Sequence, residues 1–360
     1  MRRIPGLLGF VAAACAVLLA APVCADPALP ALAPGQVLRV GATAGTGTGT
    51  ADFNIGATDL CEFMEFPTEL LQICGDSFAG PGVGFGGWYT PIALHVDRDS
   101  LDSPEGVRYV GVTGRDAPLL ADPKPPGTSQ LPAGVVSINR ENYLLVTITA
   151  NLQPQSSRLV KAEAARTGWP TVPGSVRSGG DRSQISGYYD PVPTPDSPTG
   201  WVFVVANNFN RSAPVTLYRV PPAKFTDRGA WQGWSAKGWG TAATPLWPDK
   251  TGELSFQQVD GRAVLSYFNS STGNMEVRVA ADPTLLGSAP VTTVVVATDW
   301  PEPVDALPPP WDNGLAQPYG GYIAPGSTLD ALLVFVSQWN TTTRDRAPYR
   351  VLQYLVNPVK

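Results

Sequence analysis

The chain, 360 residues long, is poor in the groups from which many active sites are built. It has one histidine, His95, between Leu94 and Val96, where a packed or paired imidazole is a commoner outcome than a catalyst. A Ser-His-Asp hydrolase would have to use it, and Ser77 stands in Gly-Asp-Ser-Phe rather than in a Gly-x-Ser-x-Gly elbow. Of four cysteines, Cys15 and Cys24 lie in the first 25 residues, leaving Cys61 and Cys74. A lone histidine and two cysteines make no zinc site, and no Asp-rich calcium loop appears, so neither metal nor cofactor is expected. Charged residues are only 15% of the chain, the net charge is −5, and there is no basic stripe, which argues against nucleic acid or anionic lipid as partners. A long helical period is also missing; residues 158–166 are the one short helix expected.

What is abundant is glycine and proline, 37 of each, with ten tryptophans. Turns and aromatics at that density favour a β-rich protein. Residues 1–25 read as a secretory signal: Arg2 and Arg3, an apolar stretch from Leu7 to Leu19, and Val23-Cys24-Ala25 as the cleavage site. The apolar stretch is short for a membrane span. The expectation is a secreted monomer, free of the membrane after cleavage, with a Pro/Ala-rich leader over 26–40 and one β domain over 41–360. Glycine-rich Thr43–Thr50 lacks the Gly-Lys-Ser/Thr ending of a phosphate loop and reads as a flexible rim loop. Asn210, Asn269 and Asn340 open formal glycosylation sequons.

Apolar, β-branched runs recur between turn clusters, among them Leu70–Cys74, Ile92–Val96, Tyr109–Thr113, Ala263–Phe268 and Leu332–Gln338. Hairpin signals such as Asp260-Gly261 join neighbouring runs. About five such groups fit between residue 41 and the C-terminus, the number of blades in a small propeller. Two β-sandwich domains are the alternative. No polar linker divides the chain after residue 40, which favours the five-bladed β-propeller.

One hairpin stands out. Folding residues 56–78 antiparallel about Pro67-Thr68 sets Cys61 opposite Cys74 and Asp59 opposite Asp76. Alternation along a strand then puts both pairs on one face. In an exported chain the cysteines are expected to form a disulfide. Like charges directly opposite are destabilising, so two facing carboxyls call for a use, and glycoside hydrolysis employs such a pair. The plainer reading is that an Asp beside Gly near a strand end is a turn residue.

Several motifs then match in order: Gly56–Asp59 with Gly75-Asp76-Ser77-Phe78, Gly87-Trp88-Tyr89-Thr90-Pro91, Leu217-Tyr218-Arg219-Val220-Pro221, Gly252-Glu253-Leu254-Ser255, Tyr319-Gly320-Gly321-Tyr322-Ile323-Ala324-Pro325 and Val336-Ser337-Gln338-Trp339-Asn340. Across residues 41–357 the chain resembles the family catalogued as domain of unknown function 4185, grouped as glycoside hydrolase family 183. The resemblance implies a five-bladed propeller that cleaves internal α-linkages of D-arabinan, the polymer of mycobacterial arabinogalactan and lipoarabinomannan. The family's paired catalytic aspartates fall on Asp59 and Asp76. Ala324 departs from the pattern, standing where members often carry His.

For an arabinan substrate, Trp88, Tyr89, Trp311, Tyr319, Tyr322 and Trp339 are candidates to stack on sugar faces, with core packing the competing role. Gln184, Asn207, Glu253 and Gln338, polar and beside strands, are candidates to line a propeller mouth, Glu253 being the leading third carboxylate. Trp231, Trp234 and Trp239 read as an exposed loop, either a carbohydrate platform or a folded-back cap. The alternative function is an inactive propeller that binds cell-wall arabinan without cutting it.

Overall fold

In a computed structural model that describes residues 28–360, the chain is all-β. The signal-peptide reading, Cys15 and Cys24 lie outside the described residues.

Among the described residues the strands make two four-stranded sheets, a two-stranded one and one of fourteen strands, and within these, successive antiparallel groups follow along the chain. The first holds Glu62–Glu65, Leu70–Cys74, Ile92–Val96 and Tyr109–Thr113. Ser129–Ile138, Glu141–Ala150, Gln153–Ala162 and Arg177–Ser178 make the second. The third is Gln184–Asp190, Trp201–Asn207, Pro214–Val220 and Gln232–Ser235, and the fourth Pro245–Val259, Arg262–Asn269, Asn274–Ala280 and Val291–Thr298. In the last, Pro318–Ile323, Leu332–Trp339 and Tyr349–Val356 are completed by Val37–Gly45 from the other end of the chain, in a register running from Val37↔Val356 to Gly45↔Arg350. The first strand of each group touches the first strand of the next, and Glu62–Glu65 touches both Ser129–Ile138 and Pro318–Ile323, so these contacts run in a ring. Burial is unbroken over Gln130–Gly134, Gln184–Gly187, Thr251–Phe256 and Pro318–Ile323, as stretches covered on both faces require.

Residues 158–166 are not helical. Arg158–Ala162 ends the strand Gln153–Ala162, whose ladder to Glu141–Ala150 outweighs a weak local period. Nor is Thr43–Thr50 a free loop: Thr50 is buried, and its Oγ1 donates to the Ile55 carbonyl and accepts from Gly45 N–H. The Trp231–Trp239 segment forms a cap rather than an open loop. Trp234 pairs with Trp239 across a hairpin, Trp231 is buried, and Arg219 lies over Trp239. Asn269 and Asn340 are buried and bonded to Glu276 and to the Ala347 carbonyl, which closes those two sequons to a glycan. His95 is held between Glu69 and Thr113, the paired role expected.

Candidate functional site

The hairpin register drawn from the sequence is present. Glu62↔Ile73 to Glu65↔Leu70 are paired, and beyond them Cys61 and Cys74 form a disulfide with Cα atoms 3.9 Å apart. The ladder then stops. Leu60 has φ 47°, a left-handed backbone that leucine rarely adopts, and the turn swings Asp59 off the strand while its carbonyl still accepts from Gly75 N–H at 2.8 Å. A Cβ on Gly75 would lie 2.8 Å from Asp59 Oδ1, so only glycine lets the carboxyl pack there. Asp59 and Asp76 thereby reach one cavity of about 500 Å³.

The cavity lies near the starts of Ser129–Ile138 and Pro318–Ile323, which line it with Leu131 and with Pro318 and Tyr319. Two strands bend to serve it. Glu253 is bulged out of its ladder between Gly252 and Leu254 with φ 34°, and its N–H donates to Gln184 Oε1 at 3.0 Å. A bulge re-aims a side chain in this way. Arg211 meets the Glu253 carboxylate with Nε at 2.9 and 3.0 Å and Nη2 at 2.5 Å, a charge-assisted fork that satisfies a buried acid. A second bulge, at Gly320 with φ 57°, turns Tyr319 so that its hydroxyl donates to Asp59 Oδ2 at 2.7 Å. The Arg211 guanidinium sits 5.1 Å from the Tyr319 ring centre. Leu131, Phe209, Phe268, Trp339 and Tyr349 supply apolar wall.

The two carboxyls stand in unlike surroundings. Asp59 is 5% exposed; burial pushes its pKa from 3.8 to about 8, the Asp76 and Glu253 charges add to the rise, and the Tyr349 and Tyr319 hydroxyls oppose it. Asp59 Oδ1 has no hydrogen-bond partner. Asp76 is half-buried and richer in donors. Trp88 Nε1–H donates to its Oδ1 at 2.8 Å and Ser129 Oγ–H to its Oδ2 at 3.4 Å. Burial raises its pKa, while Trp88, Thr90, the Lys124 charge and Ser129 hold it back. The arrangement can keep one carboxyl protonated beside one ionised.

Of the residues singled out from sequence, Asp59, Asp76, Glu253, Tyr319 and Trp339 line this cavity. Trp88 is 45% exposed and outside the cavity lining; its edge holds Asp76, and Lys124 Nζ lies 2.9 Å over one face of the ring. Gln184 stands behind the cavity, holding Glu253. Asn207 is buried and spends its amide on Thr251. Gln338 is locked between the Ala316 carbonyl and Arg350. The Tyr89 hydroxyl accepts from Asn54, away from the cavity lining. Tyr322 is buried and lines a separate cavity of about 410 Å³, and Trp311, 57% exposed, borders another hollow beside Gln36. Ala324 is fully buried and its N–H bonds the Leu333 carbonyl; it is not part of the carboxylate cavity lining. Sequence reasoning missed Arg211, Tyr349, Lys124, Gln153 and Asn210. Arg211 was hidden in a glycosylation sequon, and its partner is 42 residues away; nothing local signals it.

The model of a family described as domain of unknown function (DUF4185) matches residues 44–355. An uncharacterised 35.9 kDa protein from the asd 3' region of Mycolicibacterium smegmatis is 69% identical over 330 residues, 90% of this chain and 99% of that one. Notoamide biosynthesis cluster protein J' of Aspergillus versicolor is 32% identical over 158 residues, 41% of this chain and 39% of its own. Among solved structures, an α-L-arabinofuranosidase from Podospora anserina, in complex with cellotriose, is similar with a TM-score of 0.51 at 9% identity, over 91% of this chain and 99% of that one. At that identity the likeness is one of fold alone. By the extent of the family match, and by the identity to the mycobacterial protein, the chain belongs to the DUF4185 family.

Proposed function

We propose that this protein is a secreted glycoside hydrolase, a closed five-bladed β-propeller that cuts α-linked D-arabinofuranosyl bonds inside cell-wall arabinan. The carrying observation is the pair Asp59 and Asp76: two carboxyls in one cavity, one buried and poor in donors, the other held by an indole N–H and a hydroxyl. The ring of inner-strand contacts and the pairing of Val37–Gly45 with Tyr349–Val356 support the propeller. The sequence resemblance to glycoside hydrolase family 183 supports the substrate, and the likeness in fold to a protein named an arabinofuranosidase supports the all-β architecture.

In this reading Asp59 carries the proton and gives it to the glycosidic oxygen as the bond breaks. Asp76, ionised, either attacks the anomeric carbon or takes a proton from the attacking water. Tyr319 orients Asp59 through its 2.7 Å hydrogen bond. Both Tyr319 and Tyr349 are held protonated by burial and so remain donors. The apolar wall suits the C–H faces of furanose rings, and Arg211 with Glu253 offers the hydroxyls a polar edge.

Incubation with purified arabinogalactan, followed by product analysis, tests this. Wild type should release arabinose oligosaccharides, and Asp59→Asn and Asp76→Asn should each lose at least about 10²-fold in turnover. Binding of the polymer without release would replace the hydrolase by a wall-binding propeller. Full activity in both variants would remove these residues from the chemistry.

A further inference from the structure

Outside the carboxylate cavity, three arginines converge without enough acid to balance them. Arg177 lies on a short edge strand, paired to Ser157. Arg228 is 2% exposed; its Nη1 donates to Ser157 Oγ at 3.0 Å, its Nη2 to the Arg182 carbonyl, and its Nε has no partner. Arg182 binds Asp181 at 3.0 Å, but among the described residues neither Arg177 nor Arg228 has a carboxylate at ion-pair distance. Asp227, an acid whose charge acts on Arg177, accepts from Gly229 N–H. Burial, then repulsion from Arg177 and Arg182, lowers the Arg228 pKa to about 10. A buried guanidinium with an unmet donor beside two like charges is costly, and an oxyanion relieves both faults, since the guanidinium fork matches its geometry.

The cluster lies next to the carboxylate cavity. Ser183, beside Arg182, accepts the Phe209 N–H at 2.9 Å, and Phe209 lines that cavity. Gln153 and Asn210, bonded at 3.1 Å, form the rim between.

We propose that Arg177, Arg182 and Arg228 form an oxyanion-binding site that takes a phosphate or carboxylate group. That the oxyanion is carried by a sugar chain leaving the cavity rests on the hydrolase reading; the site itself does not. Inorganic phosphate is the first probe, titrated by calorimetry and thermal shift against sodium chloride of equal ionic strength. Saturable phosphate binding is expected in wild type, and about tenfold weaker binding in Arg177→Gln, the loss of one charge-assisted hydrogen bond. Arg177 is half-exposed on an edge strand, so an unchanged midpoint without phosphate checks that the variant folds. Equal stabilisation by chloride, or undiminished binding in Arg177→Gln, would overturn the site. D-arabinose 5-phosphate binding more tightly than phosphate, with D-arabinose alone inert at the cluster, would assign a sugar-borne group; equal affinities would assign a free oxyanion. Because no arm measures turnover, a failed hydrolase assay leaves these results readable.

Discussion

Asp59 shows how much one side chain's setting can do. A carboxyl whose folded pKa is about 8, against 3.8 when exposed, binds a proton in the native state over a range where the unfolded chain has released it. Stability must therefore fall as pH rises from about 4 towards 8 and level off above. Asparagine resembles the protonated acid, so the melting temperature of Asp59→Asn relative to wild type should climb between pH 5 and pH 8; a flat difference would mean that Asp59 is already ionised. On the proposed mechanism, loss of this proton should set the alkaline limb of kcat/KM near pH 8. On the same mechanism Asp76 should govern the acid limb. Trp88→Phe keeps the ring but deletes the N–H that Asp76 Oδ1 accepts, so the Asp76 pKa should rise further and the acid limb move to higher pH, with the alkaline limb unmoved.

Strands and hairpins explain what could be read in advance. Leu70–Cys74, Ile92–Val96 and Tyr109–Thr113 were legible to the residue, because these runs are bounded by Gly75, Pro91, Asp97 and Gly114, whose backbone preferences are local. The hairpin that carries Asp59 and Asp76 was legible for the same reason: an even register about Pro67-Thr68 needs no tertiary information. The Arg211–Glu253 fork was not, nor Lys124 over the Trp88 ring, because each depends on a bulge or a neighbour far along the chain. Bulges at Glu253 and Gly320 leave no periodic trace. The hairpin yields two tests. Replacing both Cys61 and Cys74 by serine opens a short loop and should cost about 3 kcal/mol in denaturant melts. Gly75→Ala puts a methyl 2.8 Å from Asp59 Oδ1; it should lower kcat much more than it raises KM, since the carboxyl must shift and the substrate walls need not.

At the scale of the whole molecule, the last group of strands borrows Val37–Gly45 from the opposite end of the chain. Deleting residues through Gly45 uncovers the edge of Tyr349–Val356, and the truncated protein should melt far lower and aggregate, as bare edges do. The same seam fixes a direction. Gly45 and Tyr349 mark the end at the carboxylate cavity, whereas Val37 and Val356 mark the other. A tether fixed beyond Val356 would hold the molecule by its back, with the cavity turned outward, so protein immobilised through Lys360 should treat an insoluble polymer as free protein does.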